Sequence, residues 1–278
     1  NPGFEANFAA DGTFPVMVPQ GWELVDPLGA IDQTVDAVGV INPTGTTFFT
    51  GGVPEGRNAA LIFLADPAST PVGLRQVLTT PLQARTRYEL RVEVGNIASG
   101  TALPPFDVYG FFDLDGFPGY AVQLWAGGEL LAEDHDSLII PEGEFATSTI
   151  RFITGAVPEQ PLRPLEIRLL NLDRVGTPAE PGIEVDFDAV SLTASPACAA
   201  DHNRDGAATV QDIFDFLADY FANHPDADIN GGGLSVQDVF DFLTGYFGGD
   251  ACADSNDSGG VSVQDIFDFL SAYFGGGC

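Results

Sequence analysis

The chain is 278 residues long and 45% hydrophobic, and it carries a net charge of −30 with ten arginines and no lysine. That length and apolar content suffice for two domains with real cores, while so one-sided an acidity makes nucleic acid and anionic membrane surfaces poor partners. No run of about 20 apolar residues occurs, so no segment reads as a membrane-spanning helix. The carboxylate excess repels itself unless cations or salt relieve it, which points to calcium-rich or saline surroundings.

From Asn1 to residue 195 the chain reads as strands punctuated by Gly and Pro. Tyr88, Leu90, Val92 and Val94 alternate with Glu89, Arg91 and Glu93, and Ile183, Val185 and Phe187 alternate with Glu184, Asp186 and Asp188. Such alternation predicts half-buried antiparallel strands with the carboxylates facing solvent. Further strands are expected over 59–65, 74–79, 106–112, 120–125, 145–152 and 165–170. About ten short strands without sustained helical period predict a mainly β protein built on an antiparallel β-sandwich of the jelly-roll kind.

The aromatic run Phe106, Tyr109, Phe111, Phe112, Phe117, Tyr120 and Trp125, interrupted by Asp113, Asp115 and Gly116, leaves two readings open. Tyr109, Phe117, Tyr120 and Trp125 could form stacking platforms for a sugar ring. Alternatively the rings are sandwich core and Asp113–Gly116 is a hairpin turn. Trp22 reads as core. His135, within Glu133-Asp134-His135-Asp136, has no Ser or Cys partner at motif spacing and reads as an exposed turn. No nucleophile elbow, phosphate-cradling Gly loop or zinc-binding helix is present, so no catalytic role is expected.

The opening NPGFE, then PQGWELV, LRQVLTTPLQARTRYELRVEVGN and IEVDFDAVSLTA resemble the galactose-binding-like jelly rolls that include many carbohydrate-binding modules. The resemblance implies a structural calcium held by the Glu of the opening motif and the Asp of the closing one, here Glu5 and Asp188.

The second domain, 196–278, repeats one sentence: VQDIFDFLADYF, VQDVFDFLTGYF and VQDIFDFLSAYF, in units 201–222, 226–248 and 254–275. Asp201, Asn203, Asp205, Gly206, Ala207, Thr209 and Asp212 fall at positions 1, 3, 5, 6, 7, 9 and 12 of a calcium loop, whose Gly makes the sharp turn and whose seventh residue lends only a carbonyl. Asp254, Asn256, Ser258, Gly259, Gly260, Ser262 and Asp265 repeat that spacing with one carboxylate fewer. Loop two is irregular. If Asp238 closes it, Asp228 and Asn230 open a loop one residue short, and Asp226, Asp228 and Asn230 open one a residue long. In each helix the apolar residues, Ile213, Phe214, Phe216, Leu217, Tyr220 and Phe221 in the first, cover more than half the circumference and leave Asp212, Asp215 and Asp219 outside.

A calcium loop followed by one helix, three times over, resembles the F-hand repeats of dockerin domains, and the Gly277-Cys278 ending is similar to a dockerin-like module of planctomycete-type secreted proteins. Those families usually carry two repeats. The resemblance implies Ca²⁺ as cofactor and an antiparallel pairing of repeats, which would bring Cys198 and Cys252 together in a disulfide and leave Cys278 for an anchor or another chain. Cysteines so used imply a secreted, extracellular or cell-surface protein, and Asn1 reads as a processed end.

Together these readings predict a non-catalytic calcium-binding structural protein, a subunit of an extracellular assembly or filament held by contacts between sandwich and repeats. A surface-anchored carbohydrate-binding protein and a component docking a cohesin-like receptor stand as alternatives. The expected partners are a further copy, another surface protein, or glycans.

Overall fold

The computed structural model describes residues 1–32, 34–65, 70–156, 163–173 and 183–248. Among them run twelve strands: β1 (Glu23–Val25), β2 (Ala37–Ile41), β3 (Ala59–Phe63), β4 (Val72–Pro81), β5 (Thr86–Asn96), β6 (Gly100–Thr101), β7 (Phe111–Phe112), β8 (Tyr120–Ala126), β9 (Glu129–His135), β10 (Glu144–Ile153), β11 (Pro164–Asn171) and β12 (Glu184–Pro196). Two α-helices follow, α1 (Val210–Ala222) and α2 (Val236–Gly248). The protein is mainly β, with two five-stranded sheets ordered β1-β4-β11-β8-β9 and β10-β5-β12-β3-β2. The third repeat, with Asp254, Asn256, Ser258, Gly260, Ser262 and Asp265, lies outside the described residues, as do Cys252 and Cys278.

Two compact units result. The described residues of Asn1–Leu82, Glu89–Phe152 and Leu162–Thr193 form one, and those of Gln83–Tyr88, Ile153–Pro161 and Ala194–Cys278 the other.

In the first unit the antiparallel register of β2, β3 and β12 fixes which residues share a face. Val38 lies opposite Ile62, and Ile62 opposite Val185; Val40, Ala60 and Phe187 form the next such row. All six are 2% exposed or less. The other face carries the rows Ala37, Phe63, Glu184 and Gly39, Leu61, Asp186. The alternation in β12 predicts that this face is wet, and it is not. Phe48, Phe49, Ile97, Ala102 and Leu114, with Phe14, Phe106 and Phe112, cover it in a second apolar cluster that includes Ala37 and Leu61. Gly39 is required there, because a Cβ would meet the Pro15 carbonyl at 2.3 Å. Glu184, Asp186 and Asp188 are consequently buried, which corrects the half-exposed reading of this strand.

The segment 106–112 is not one strand. Pro104-Pro105 fixes the backbone and removes two donors, the Phe106 N–H closes a turn on the Leu103 carbonyl at 3.0 Å, and Phe106–Tyr109 continues as a 3₁₀-helix. Asp113–Gly116 is not a hairpin turn either. β7 pairs back to β6, whereas β8 pairs with β9 and β11. β2 escapes the alternation rule because both its faces are buried, which yields an apolar run rather than a period of two. His135 ends β9 rather than sitting in a turn, its ring nitrogen 3.3 Å from Glu133.

In the second unit α1 begins on a capping box in which Thr209 and Asp212 satisfy each other's backbone, and it ends at Asn223 in the left-handed conformation. Asp212 is fully buried, not outside, because its carboxylate turns back into the loop that precedes the helix. The inner faces of α1 and α2 meet at Phe216 and Phe242, whose rings stack 4.2 Å apart and 1° from parallel. With Ala227 these form the buried centre, flanked by Ile213, Leu217, Tyr220, Leu243 and Tyr246. Phe214 and Phe221 face outward, 63% and 77% exposed.

Candidate functional site

The loops over the covered face of β2, β3 and β12 leave a cavity of about 290 Å³. Phe14, Phe48, Phe63, Phe106, Tyr109 and Phe112 supply its rings, and Asp36 and Glu184 its carboxylates. The rings brace one another: Phe14 stacks on Phe106 at 4.3 Å and meets Phe112 edge-on at 5.5 Å, and Phe106 stacks on Tyr109 at 6.3 Å. Val16, Val35 and Tyr109 are exposed at the rim, so the cavity opens to solvent between apolar side chains.

Glu184 lines the cavity from β12, with Asp186 two residues on along the same face. Both are buried, and Glu184 Oε1 and both Asp186 oxygens receive no donor. Burial pushes Glu184 up to about 8, and burial together with the Glu184 charge pushes Asp186 well above the ordinary carboxylate range. Two adjoining buried carboxyls cannot both ionise cheaply, so the pair retains a proton at neutral pH. Asp36 differs from both. Its Oδ2 accepts the Asp32 N–H at 2.8 Å and its Oδ1 the Ala65 N–H at 2.9 Å.

Of the four residues expected to face a ligand, Tyr109 alone lines the cavity. Tyr120 is fully buried, and its hydroxyl donates to Asp134 at 2.7 Å, which makes it a core residue and not a ligand contact. Phe117 packs 6.2 Å from the Tyr120 ring. Trp125 lies under the Arg168 guanidinium at 3.9 Å, with its ring N–H donating to Gln123. Asp36, Glu184 and the Phe14, Phe48 and Phe63 rings went unseen in the sequence because nothing about their spacing marks them.

The calcium-loop residues sit as follows. In loop one Asp212 accepts the Asn203 and Thr209 N–H groups, Asp201 Oδ2 accepts the Gly206 N–H at 3.1 Å, and Asp205 accepts that of Ala207. Burial and the neighbouring Asp212 raise the Asp201 carboxyl, whose Oδ1 is buried without a donor. Loop two repeats this wiring. Asp228 accepts the Gly233 N–H at 3.0 Å, Asn230 that of Gly232, and Asp238 those of Asn230 and Ser235; Asp228 Oδ1 is again buried without a donor. The register is thus the short one, opening on Asp228. Asp226 is engaged elsewhere, accepting the Ala156 N–H at 2.8 Å and pairing with Arg204. Cys198 is in a disulfide.

Glu5 accepts the Arg57 and Asn58 N–H groups, both at 2.7 Å, and Asp188 those of Glu55 and Ala189. Burial pushes Asp188 up to about 7. Among the described residues no group of three or more His, Cys, Asp or Glu stands at metal-holding geometry.

A two-sheet β protein whose loops roof an aromatic cavity of this size, with carboxyls in its lining, has the form of a small-molecule site. A model of the HpiC1-like family, described as HpiC1 cyclase, matches residues 1–193. A crystal structure of a Stig cyclase from Fischerella sp. TAU, in complex with (3Z)-3-(1-methyl-2-pyrrolidinylidene)-3H-indole, is 35% identical, covers 71% of this chain and 96% of its own, and has a TM-score of 0.61. Another cyclase structure from Fischerella sp. TAU, in complex with 4-(1H-indol-3-yl)butan-2-one, is also 35% identical with the same coverage and a TM-score of 0.60. A search of the curated proteins finds no match. The chain belongs to the HpiC1 cyclase family.

That membership overturns the non-catalytic structural reading, and with it the filament, the surface-anchored carbohydrate-binding protein and the cohesin-docking component. A candidate site of this kind carries no catalytic motif, for a physical reason. A site of rings and buried carboxyls drawn from many elements has no short spacing to find. The family match ends at residue 193, before the repeats.

Proposed function

We propose that the protein is a cyclase for an indole-bearing small molecule, which binds in the aromatic cavity and is set to cyclise by a proton from Glu184. The observation that carries this reading is the buried, donorless Glu184, with buried Asp186 beside it on β12, in a cavity whose lining among the described residues contains no Lys, Arg or His. A carboxyl kept neutral by burial can act as a general acid near neutral pH. The positive charge formed on the substrate then faces ring faces, whose quadrupoles attract cations. A π-electron pair of the substrate closes the ring on that charge, a proton leaves the product cation, and the carboxyl pair is reprotonated, so the net change is an isomerisation.

The indole compounds seen in the two Fischerella cyclases are the natural probes. Isothermal titration of the protein with 4-(1H-indol-3-yl)butan-2-one is expected to give saturable one-to-one binding; no heat up to the solubility limit of the ketone would reject the reading.

We also infer that loops one and two bind calcium. Asp201, Asn203, Asp205 and Asp212 would supply loop one, and Asp228, Asn230, Ser235 and Asp238 the shorter loop two. The donorless Asp201 Oδ1 and Asp228 Oδ1 support this, because a buried carboxylate oxygen without a donor is costly until a cation meets it. Such loops suit the extracellular setting inferred from the cysteines, where calcium is plentiful. A tenfold excess of calcium over its Kd stabilises the folded state by about 1.4 kcal/mol. The thermal midpoint of the helical signal should therefore rise with calcium and fall back with chelator, and Asp201→Asn should blunt the rise. A midpoint indifferent to calcium would remove the inference.

A further inference from the structure

Building on the reading of the cavity as a cyclase site, we propose that Asp36 is the fixed counter-anion for the positive charge created when the bound nitrogen base takes a proton. Among the described residues two carboxyls line the cavity, and their bonding suits them to opposite tasks. Glu184 Oε1 receives no donor, which suits a group that gives a proton away. Asp36 has each oxygen taken by a backbone N–H, from Asp32 on its own turn and from Ala65 beyond β3. That bonding holds the carboxyl group in one orientation, with both oxygens already accepting.

Asp36 is 6% exposed, and its hydrogen-bond partners are those two backbone amides. Buried charges in proteins are ordinarily paired. Among the described residues no Lys, Arg or His lines the cavity, so the positive charge that completes the pair has to form on the bound ligand. The titratable groups on the neighbouring segments add no positive charge. Tyr109 offers a neutral hydroxyl at the rim, Glu184 and Asp186 approach from β12, and Asp32 turns its own carboxylate to the Thr34 amide and hydroxyl.

The ligand class is thus a neutral nitrogen base that leaves solution uncharged and becomes a cation inside. An alkylidene-3H-indole fits. Its ring nitrogen takes the Glu184 proton, so one O–H bond breaks and one N–H bond forms. The electron pair of the exocyclic double bond shifts into the ring, restoring an indole conjugated to an iminium. A fixed anion that need not reorient as the charge appears stabilises it more than water does.

The test uses two probes with the intact chain. (3Z)-3-(1-methyl-2-pyrrolidinylidene)-3H-indole is a base whose absorbance reports its protonation, and 4-(1H-indol-3-yl)butan-2-one is neutral. Asp36→Asn is expected to weaken binding of the base about tenfold or more and to lower by about one unit the pH at which the bound base loses its proton. Binding of the ketone should change by less than about twofold, which also shows that the variant is folded. Asp36→Ser, which keeps an acceptor for one of the two amides, serves if Asp36→Asn does not fold. Equal loss of both probes, or undiminished binding of the base, would overturn the proposal. If the unaltered protein bound neither probe, the cavity reading itself would fall first.

Discussion

Glu184→Gln is expected to slow cyclisation by about 10²- to 10⁴-fold, the contribution of a positioned general acid, while the neutral indole ketone still binds. Gln keeps the volume of the side chain and its place on β12, but it cannot release a proton. On the proposed mechanism the acid works only while protonated, and burial pushes Glu184 up to about 8. The rate should therefore hold below that value and fall as pH rises through it. Stability carries the same signature. The ordinary value for this carboxyl is 4.5, so between 4.5 and about 8 the unfolded chain has released a proton that the folded chain keeps. By linkage, stability is full below 4.5 and declines across that window. Asp186 adds in the same direction, so Glu184→Gln should flatten the slope without abolishing it. Chemical denaturation at pH 5 and pH 8 measures this, and equal slopes in the two proteins would mean that Glu184 is not the buried acid described.

Phe216→Ala is expected to cost about 3–5 kcal/mol, as full truncation of a buried aromatic does. The second unit has little to absorb the loss. Among its described residues Phe216, Ala227 and Phe242 are the buried centre between α1 and α2, and the two rings lie 4.2 Å apart and parallel. Removing one leaves the other facing a void that α1 and α2, anchored by their Asp212 and Asp238 turns, cannot close. Phe214, 63% exposed on the outer side of the same helix, is the control, and its change to Ala should stay within about 0.5 kcal/mol. Thermal melts followed at 222 nm report α1 and α2 directly. Comparable losses in the two variants would mean that the inner faces do not hold the pair together.

The sequence determined the local structure wherever a local signal exists. Alternation placed β5, and short apolar segments placed β3, β4, β8, β10 and β11, because side chains alternate between the faces of a strand whatever covers them. The apolar VQDIFDFLADYF wording marked α1, whose start the structure fixes with a capping box of Thr209 and Asp212, residues the sequence offered only as calcium-loop positions. The repeat wording and the acidic loops were likewise plain. Where a local signal met a competing one the reading failed: Pro104-Pro105 turned an apparent strand at 106–112 into a 3₁₀ turn, and the short loop two left its register open until Asp226 was found on Arg204.

The candidate site was decided by tertiary structure. Phe106, Tyr109 and Phe112 belong to one aromatic run, but Phe14, Asp36, Phe48, Phe63 and Glu184 join them from distant points of the chain and share nothing in sequence except being apolar or acidic. Alternation in β12 says correctly that Glu184, Asp186 and Asp188 share a face. It does not say what lies over that face. Had solvent covered it, the three would be ordinary surface carboxylates; because loops carrying Phe14, Phe48, Phe106 and Phe112 cover it, desolvation turns Glu184 and Asp186 into proton-holding acids. The period of a strand is set by its own backbone, but the dielectric around its side chains is set by segments that only folding brings near.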